Sequence, residues 1–231
     1  MSRPISHCRI GSKRFGVINK LVVFGDSWPH GNELDRDPKT LSKRFPELIA
    51  KLLGAKCRNL SRPSTSFDGA VIEFLKNITN MTKPGTAVLF CITGTDRQLC
   101  FTDGKVNELH PQNTDQISLH YYTKIYSKDL GEYNRVRNVL LIQELCNRFE
   151  VPVFFVCNWN NIPQHDLIDQ TRFVPQSMVE MLGGSNADVG RWNKGLLKYR
   201  MPQGHPNLLG HEKIATDIYN WIKENHDQSL S

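Results

Sequence analysis

Short apolar runs alternate with helical patterns along most of the chain. Runs of strand length occur at four places, and "TAVLFCI" is the clearest of them; they cover 21–25, 57–60, 86–92 and 151–157. Apolar residues recur at helical spacing between and after these runs, in 45–54, 66–81, 131–149 and 207–224, and Ser66 is a candidate cap for the second of these helices. Strands that alternate with helices predict right-handed parallel crossovers, and therefore an α/β three-layer sandwich with a mainly parallel sheet.

The carboxyl edge of this sheet is the expected place for a ligand site, because open parallel sheets bind ligands beyond the carboxyl ends of their strands. The segments that follow the four predicted strands begin at Ser27, 61–64, 93–97 and 158–161. Two long connections, 98–130 and 159–203, have weak patterning and are too long for turns. We expect them to form lids or flaps over this edge.

The length of 231 residues suits one large domain, which we place at 20–231. The net charge of +6 resides near the N-terminus: five basic residues precede the first acidic residue, Asp26, and the rest of the chain has 24 basic and 23 acidic residues. We therefore interpret 1–19 as a basic, flexible arm and not as part of a charged domain face. Nucleic acid is not the expected partner, although docking of the arm to a partner or to an anionic polymer stays open.

Several classes of chemistry find no support in the sequence. The six cysteines are widely spaced without a Cys-x-x-Cys pair, and the eight histidines form no His-Glu-x-x-His pattern. We therefore expect reduced cysteines and no metal site. No apolar run approaches the roughly 18 residues that a membrane span needs, and no secretory stretch is present near the N-terminus. These features are typical of a cytoplasmic protein.

The stretch "LVVFGDSWPHG" places a serine, Ser27, directly after a predicted buried strand. A strand that leads into a Gly-x-Ser turn can hold a hydroxyl in a fixed position beyond the edge of a rigid sheet, as a nucleophile requires. Ser27 can equally be a helix cap or a turn former. A nucleophilic serine needs an adjacent base, and His205, at the mouth of the last predicted helix, is the candidate. Taken alone, His205 is also typical of a turn or cap, and we expect His211 to pack or cap.

Taken together, these segments resemble the SGNH (GDSL-type) hydrolases, and among them the SGNH-like proteins of tailed bacteriophages. Gly25-Asp26-Ser27 matches the nucleophile block of the family, and His205 with Pro206-Asn207 matches its histidine block. The segments 59–69 and 92–97 occupy the two blocks between them. The resemblance covers most of the chain. It implies a flavodoxin-like sheet and cofactor-free hydrolysis of acyl esters, commonly O-acetyl groups on sugars or lipid esters.

The same resemblance implies roles for individual residues. Ser27 and His205 take the catalytic positions, and four further residues take oxyanion-stabilising or substrate-binding positions: Ser64, Gly94, Asp96 and Arg97. If the chain is phage-encoded, its compartment is the cytoplasm or the virion.

Three positions depart from the family pattern. Ser64 stands where glycine is usual, but a backbone N–H donor is retained. Asp96 stands where the family has an oxyanion-stabilising asparagine. We expect its carboxylate to pair with the adjacent Arg97; the alternative is that burial keeps the carboxyl group protonated, so that it donates as an amide does. Pro202 stands three residues before His205, where the family has the aspartate that orients the imidazole.

Two functions are compatible with these observations. The first is a serine esterase that works as a Ser27–His205 dyad, or with a carboxylate supplied from elsewhere in the chain. Its oxyanion donors are the N–H groups of Ser27 and Ser64, with Arg97 assisting or binding an acidic substrate. The second is a non-catalytic binding protein or virion structural protein that kept the fold. The departures at Asp96 and Pro202 favour the second, because a fold alone does not guarantee activity.

Overall fold

The central feature of the computed structural model is a four-stranded parallel sheet. The structure describes residues 16–102, 104–159, 161–184, 198–202 and 204–226. The sheet has the strand order β2-β1-β3-β6, with β1 at Lys20–Phe24, β2 at Lys56–Asn59, β3 at Thr86–Ile92 and β6 at Val153–Cys157. Helices cover both faces of this sheet, so the predicted α/β fold class is confirmed.

Eight α-helices and one 3₁₀ helix lie within the described ranges. They are α1 (Ser27–His30), α2 (Pro38–Leu41), α3 (Phe45–Leu52), α4 (Phe67–Met81), α5 (Gln116–Lys124), α6 (Lys128–Arg148), the 3₁₀ helix (Gln170–Arg172), α7 (Met178–Met181) and α8 (Leu208–His226). The four predicted helices correspond to α3, α4, α6 and α8. Ser66 caps α4 as expected, since its hydroxyl accepts a hydrogen bond from the Gly69 N–H.

The core consists of two apolar layers, one on each face of the sheet. Alternate residues of β1 serve different layers: Leu21 and Val23 pack with α3, α7 and α8, whereas Val22 and Phe24 pack with α4 and α6. This division follows from the period of two in a strand, which points successive side chains to opposite faces. Both layers bury their strands, which explains why the strands are continuous apolar runs.

The connection 98–130 contains regular structure that its weak patterning did not predict. Strands β4 (Gln98–Thr102) and β5 (Lys105–Leu109) form an antiparallel hairpin, and α5 follows. The hairpin is fixed to the core through Glu108, whose carboxylate accepts a hydrogen bond from the Ser66 N–H at the start of α4. Parts of the other long connection, 160, 185–197 and 203, lie outside the described residues, and its role as a lid stays a prediction.

The N-terminal residues that the structure describes make contact with the domain. Ile18 packs against the core, and Asn19 pairs through its backbone with Gly85 and Lys56. The flexible arm stays a prediction for residues 1–15, which lie outside the described part of the chain. Across the described ranges, no helix is both long enough and apolar enough to cross a membrane.

Candidate active site

Ser27 lies at the carboxyl end of β1, where it is the first residue of the short helix α1. The turn depends on Gly25, because a Cβ atom there would lie 2.7 Å from Pro29 Cγ and 2.8 Å from Cys91 Cβ. The Ser27 side chain is 5% exposed. Within the described part of the chain, neither its hydroxyl nor its backbone N–H donates a hydrogen bond. Neither group is therefore committed to a partner in the described part of the chain.

Asp26 is a fully buried carboxylate beside Ser27, and four donors surround it. These donors are the Trp28 N–H at 3.1 Å, the Thr93 hydroxyl at 2.8 Å, the Arg97 guanidinium at 3.0 Å and the Asn158 amide at 3.0 Å. They come from the ends of β1, β3 and β6, so the carboxylate joins three strand ends. A buried charge is tolerated only when it is paired and hydrogen-bonded in this way.

The expected ion pair between Asp96 and Arg97 is wrong. Arg97 pairs instead with Asp26, and Asp96 forms no ion pair among the residues that the structure describes. The physical reason is burial: a carboxylate with no access to water gains more from a positive charge than one that is partly exposed. The Arg97 guanidinium also lies over the Trp159 ring, 5.7 Å from its centroid.

His205 is held by Glu33, a residue that the sequence analysis did not single out. Glu33 Oε2 lies 2.6 Å from His205 Nδ1 and also accepts a hydrogen bond from the His205 backbone N–H at 3.1 Å. Glu33 follows Ser27 by six residues, so His205 is tied to the segment that carries the serine. No hydrogen bond joins the Ser27 hydroxyl to the His205 ring within the described ranges, which is common in unliganded active sites.

Ser64 lies in a turn after β2 that is closed by the Thr65 N–H donating to the Arg62 carbonyl at 3.3 Å. Pro63 and Ser64 are its central residues, and Ser64 has a φ of 62°. Proline followed by a residue with positive φ is the pattern of a type II turn, in which glycine normally takes the second place. Glycine at position 64 would adopt this φ without strain. The Ser64 N–H donates to no acceptor within the part of the chain that is described.

Gly94 and Asp96 lie together at the end of β3. A Cβ atom on Gly94 would lie 2.4 Å from Asp96 Oδ1 and 3.3 Å from Trp159 Nε1, so the Asp96 carboxylate folds back over the glycine. The Asp96 carbonyl accepts a hydrogen bond from the Tyr122 hydroxyl at 2.5 Å. This bond fixes the loop against α5.

His110, directly after β5, is a second histidine of this region that the sequence analysis missed. Burial, and then the positive charge of Arg97, lower the pKa of His110, whereas the Ser64 backbone acts in the opposite direction. Its Nε2 atom is buried and has no hydrogen-bond partner among the described residues. Nothing in the weakly patterned segment around His110 indicated that the hairpin returns this residue to the site.

His211 belongs to the packing of the domain and not to the candidate chemistry. Its ring is fully buried, stacks on Phe45 with a centroid distance of 5.6 Å, and accepts a hydrogen bond from the Phe45 N–H at 3.2 Å. Burial, and then the positive charge of Arg44, lower the pKa of His211 to about 3.

No family model matches the sequence, and no curated protein matches it. The structure, in contrast, is similar to solved structures. TesA has a TM-score of 0.54 at 14% identity, over 90% of this chain and 99% of TesA. A lipolytic protein of the G-D-S-L family from Desulfitobacterium hafniense DCB-2 has a TM-score of 0.51 at 13% identity, over 88% of this chain and 99% of that one.

A third similar structure is a catalytic mutant of Axe2, an acetylxylan esterase from Geobacillus stearothermophilus. Its TM-score is 0.51 at 14% identity, over 91% of this chain and 96% of Axe2. Identities this low establish the fold alone. The chain has the α/β fold of the SGNH hydrolases.

Proposed function

We propose that the protein is a serine hydrolase that cleaves acyl esters, with Ser27 as nucleophile and His205 as general base. One observation carries this proposal. Among the described residues the Ser27 hydroxyl has no hydrogen-bond partner, and the Glu33 carboxylate ties His205 to the segment that follows the same serine. An acetylxylan esterase is among the proteins that share this fold.

The proposed reaction has two steps. Ser27 Oγ attacks the ester carbonyl while His205 takes the hydroxyl proton, and the alcohol then leaves with that proton, so that an acyl-serine remains. A water molecule, deprotonated by His205, then attacks the acyl carbon; the bond from this carbon to Ser27 Oγ breaks, His205 returns the proton to Oγ, and the carboxylic acid is released. Because Nδ1 of His205 is engaged with Glu33, Nε2 is the nitrogen available for both proton transfers.

The developing oxyanion needs donors that are already in place. We assign this role to the backbone N–H groups of Ser27 and Ser64, each of which donates to no acceptor within the described part of the chain. One such donor contributes about 3 kcal/mol in the transition state. Because Gly94 has no side chain, the Asp96 carboxylate and the Trp159 ring can lie close to the end of β3. Arg97 stabilises the turn that carries Ser27 through its ion pair with Asp26. The Arg97 nitrogens that do not contact Asp26 are the proposed contact for an acidic substrate.

For the substrate we propose an ester whose alcohol is a carbohydrate, such as an O-acetylated sugar. One protein of similar fold is an acetylxylan esterase. The partly exposed Trp159 ring at the site is a suitable surface for a sugar ring, and the Asp96 carboxylate can accept hydrogen bonds from hydroxyl groups.

A non-catalytic binding or virion protein is the alternative, and Asp96 favours it. A carboxylate beside Gly94 opposes an oxyanion, whereas the family has a neutral amide donor at this position. A catalytic serine is required for covalent labelling by a fluorophosphonate, so labelling separates the two functions.

The test uses wild-type protein, Ser27→Ala and Ser61→Ala. Ser61 is a matched control because its hydroxyl is buried at the neighbouring strand end and also lacks a partner among the described residues. We expect labelling and p-nitrophenyl acetate hydrolysis in the wild type and in Ser61→Ala, and neither in Ser27→Ala. Acetate release from acetylated xylo-oligosaccharides tests the substrate class. If the wild type hydrolyses p-nitrophenyl acetate no faster than Ser27→Ala does, the proposed hydrolase function is wrong and the non-catalytic alternative remains.

A further inference from the structure

Glu33 occupies an unexpected place relative to the histidine that it contacts. The SGNH resemblance places the orienting aspartate three residues before the histidine, and this chain has Pro202 there, which has no ionisable group. Glu33 lies 172 positions away from His205 in the sequence, yet its carboxylate contacts both the ring and the backbone of His205. We propose that Glu33 is the positioning residue for His205, an inference that rests on the proposed hydrolase function.

The contact has the geometry that this role requires. A carboxylate oxygen at 2.6 Å from Nδ1 accepts the proton of that nitrogen in a short, charge-assisted hydrogen bond. This bond fixes the tautomer, so that the neutral ring presents an unprotonated Nε2 to the serine. The second bond, from the His205 backbone N–H to the same oxygen, fixes the ring relative to its own backbone.

Burial strengthens the pairing. The Glu33 side chain is 8% exposed and the His205 side chain is 16% exposed, so little water competes for the carboxylate. When His205 takes a proton from the serine, the nearby negative charge stabilises the imidazolium. Glu33 therefore supplies what Pro202 cannot.

The backbone around Glu33 is built to present this side chain. The Leu34 N–H donates to the Gly31 carbonyl and closes a turn, in which Glu33 has a φ of 67°. A non-glycine residue with positive φ is strained, and such strain is concentrated at functional sites. The Asn32 N–H donates to the Ser27 carbonyl at 3.0 Å, which fixes the turn relative to the serine. Nucleophile and positioning carboxylate thus lie on one short segment.

The test compares Glu33→Gln and Glu33→Asp with Asp35→Asn. Asp35 is the matched control because it lies on the same loop, is exposed, and carries the same charge. We expect Glu33→Gln to lower kcat on p-nitrophenyl acetate by roughly 10³-fold with KM within twofold, since the neutral amide lacks the negative charge that stabilises the His205 imidazolium and its nitrogen competes for the place of the accepting oxygen. Glu33→Asp retains the charge on a shorter side chain and should recover about tenfold of this loss. Asp35→Asn should stay within twofold of the wild type.

A proton NMR readout tests the pairing without any activity. The Nδ1 proton of a histidine bonded to a carboxylate resonates far downfield, so we expect such a signal in the wild type and in Asp35→Asn, and its loss in His205→Ala and Glu33→Gln. Full kcat in Glu33→Gln, or a downfield signal that persists in this variant, would overturn the positioning role. A wild type that shows the signal but hydrolyses no ester would overturn the proposed function and still support the pairing.

Discussion

Arg97 pairs with Asp26 across the carboxyl ends of two neighbouring strands, with 3.0 Å between Nη1 and Oδ2. Asp26 is fully buried and immediately precedes the candidate nucleophile. The pair therefore joins the end of β3 to the nucleophile turn. Removing one partner of a buried ion pair leaves the other charge uncompensated, which costs more than the pair itself contributes.

We expect Arg97→Met to lower the free energy of unfolding by about 2–4 kcal/mol, because the buried Asp26 carboxylate loses its positive partner. Arg62→Met is the control: Arg62 pairs with Glu73 at the surface, with 65% of its side chain exposed, and should lose less than about 1 kcal/mol. Urea unfolding of both variants at pH 7 measures the difference. Equal losses would mean that the Asp26 pair is no stronger than a surface pair.

Asp96→Asn should raise esterase activity. The substitution keeps the shape of the side chain over Gly94 and replaces a negative charge with a neutral donor near the proposed oxyanion. The gain of one donor is worth about 3 kcal/mol at most, so we expect kcat/KM to rise by roughly 10-fold to 100-fold. Since Arg97 pairs with Asp26, Asp96→Asn disrupts no ion pair within the described residues. A tenfold drop in kcat/KM would assign Asp96 an essential role.

Ser64→Gly should keep activity and raise stability, because glycine adopts a positive φ without strain and retains the backbone N–H. The expected gain is about 0.5–1 kcal/mol after the entropy cost of glycine is subtracted. Ser64→Ala should keep activity with unchanged stability, since alanine is as strained as serine. Thermal melting and p-nitrophenyl acetate hydrolysis report both properties. Loss of activity in both variants would indicate that the Ser64 hydroxyl, and not its backbone, takes part.

His211 should make the fold acid-sensitive. The pKa of His211 is about 3 in the folded protein and about 6.5 in the unfolded chain. Below about pH 6.5 the His211 ring becomes protonated in the unfolded chain, whereas in the folded protein it stays neutral down to about pH 3. The free energy of unfolding therefore decreases as the pH falls through this window. Between pH 7 and pH 5, His211 lowers the free energy of unfolding by about 2 kcal/mol.

Urea unfolding at these two pH values checks the acid sensitivity of the fold. On going from pH 7 to pH 5, the free energy of unfolding of His211→Asn should decrease by about 2 kcal/mol less than that of the wild type. The exposed His120 supplies a control, and His120→Asn should behave as the wild type does. The same pH dependence in all three proteins would show that His211 is not the sensitive group.

The contacts of Ile18 and Asn19 change the expected effect of N-terminal deletions. Deleting 1–15 removes mainly like charge and should shift Tm by less than about 2 °C. Deleting 1–19 also removes the packing of Ile18 and the backbone bonds of Asn19 with Gly85 and Lys56, and should lower Tm by roughly 5 °C, or about 1–2 kcal/mol. Equal Tm values for the two deletions would mean that 16–19 contribute nothing to stability.

Local patterns in the sequence were enough to predict most elements of the fold. The run at 86–92 coincides with β3, Ser66 caps α4, and the strand-to-serine corner holds Ser27 at the predicted edge. These features depend on apolar period and on hydrogen bonds within a few residues of one another, so they can be predicted from neighbouring positions. The hairpin at 98–109 was missed, because Gln98 and Leu109 are the only buried residues of its two strands and no apolar alternation marks a buried face.

The partners of the charged groups, in contrast, depend on the assembled fold. Arg97 pairs with Asp26, 71 positions away, and not with its neighbour Asp96, while Glu33 reaches His205 from 172 positions away. Adjacency along the chain does not select an ion pair, because the strength of an interaction between charges depends on how completely the fold removes them from water. How deeply these charged groups are buried depends on how the strand ends assemble, and it cannot be predicted from neighbouring positions in the sequence.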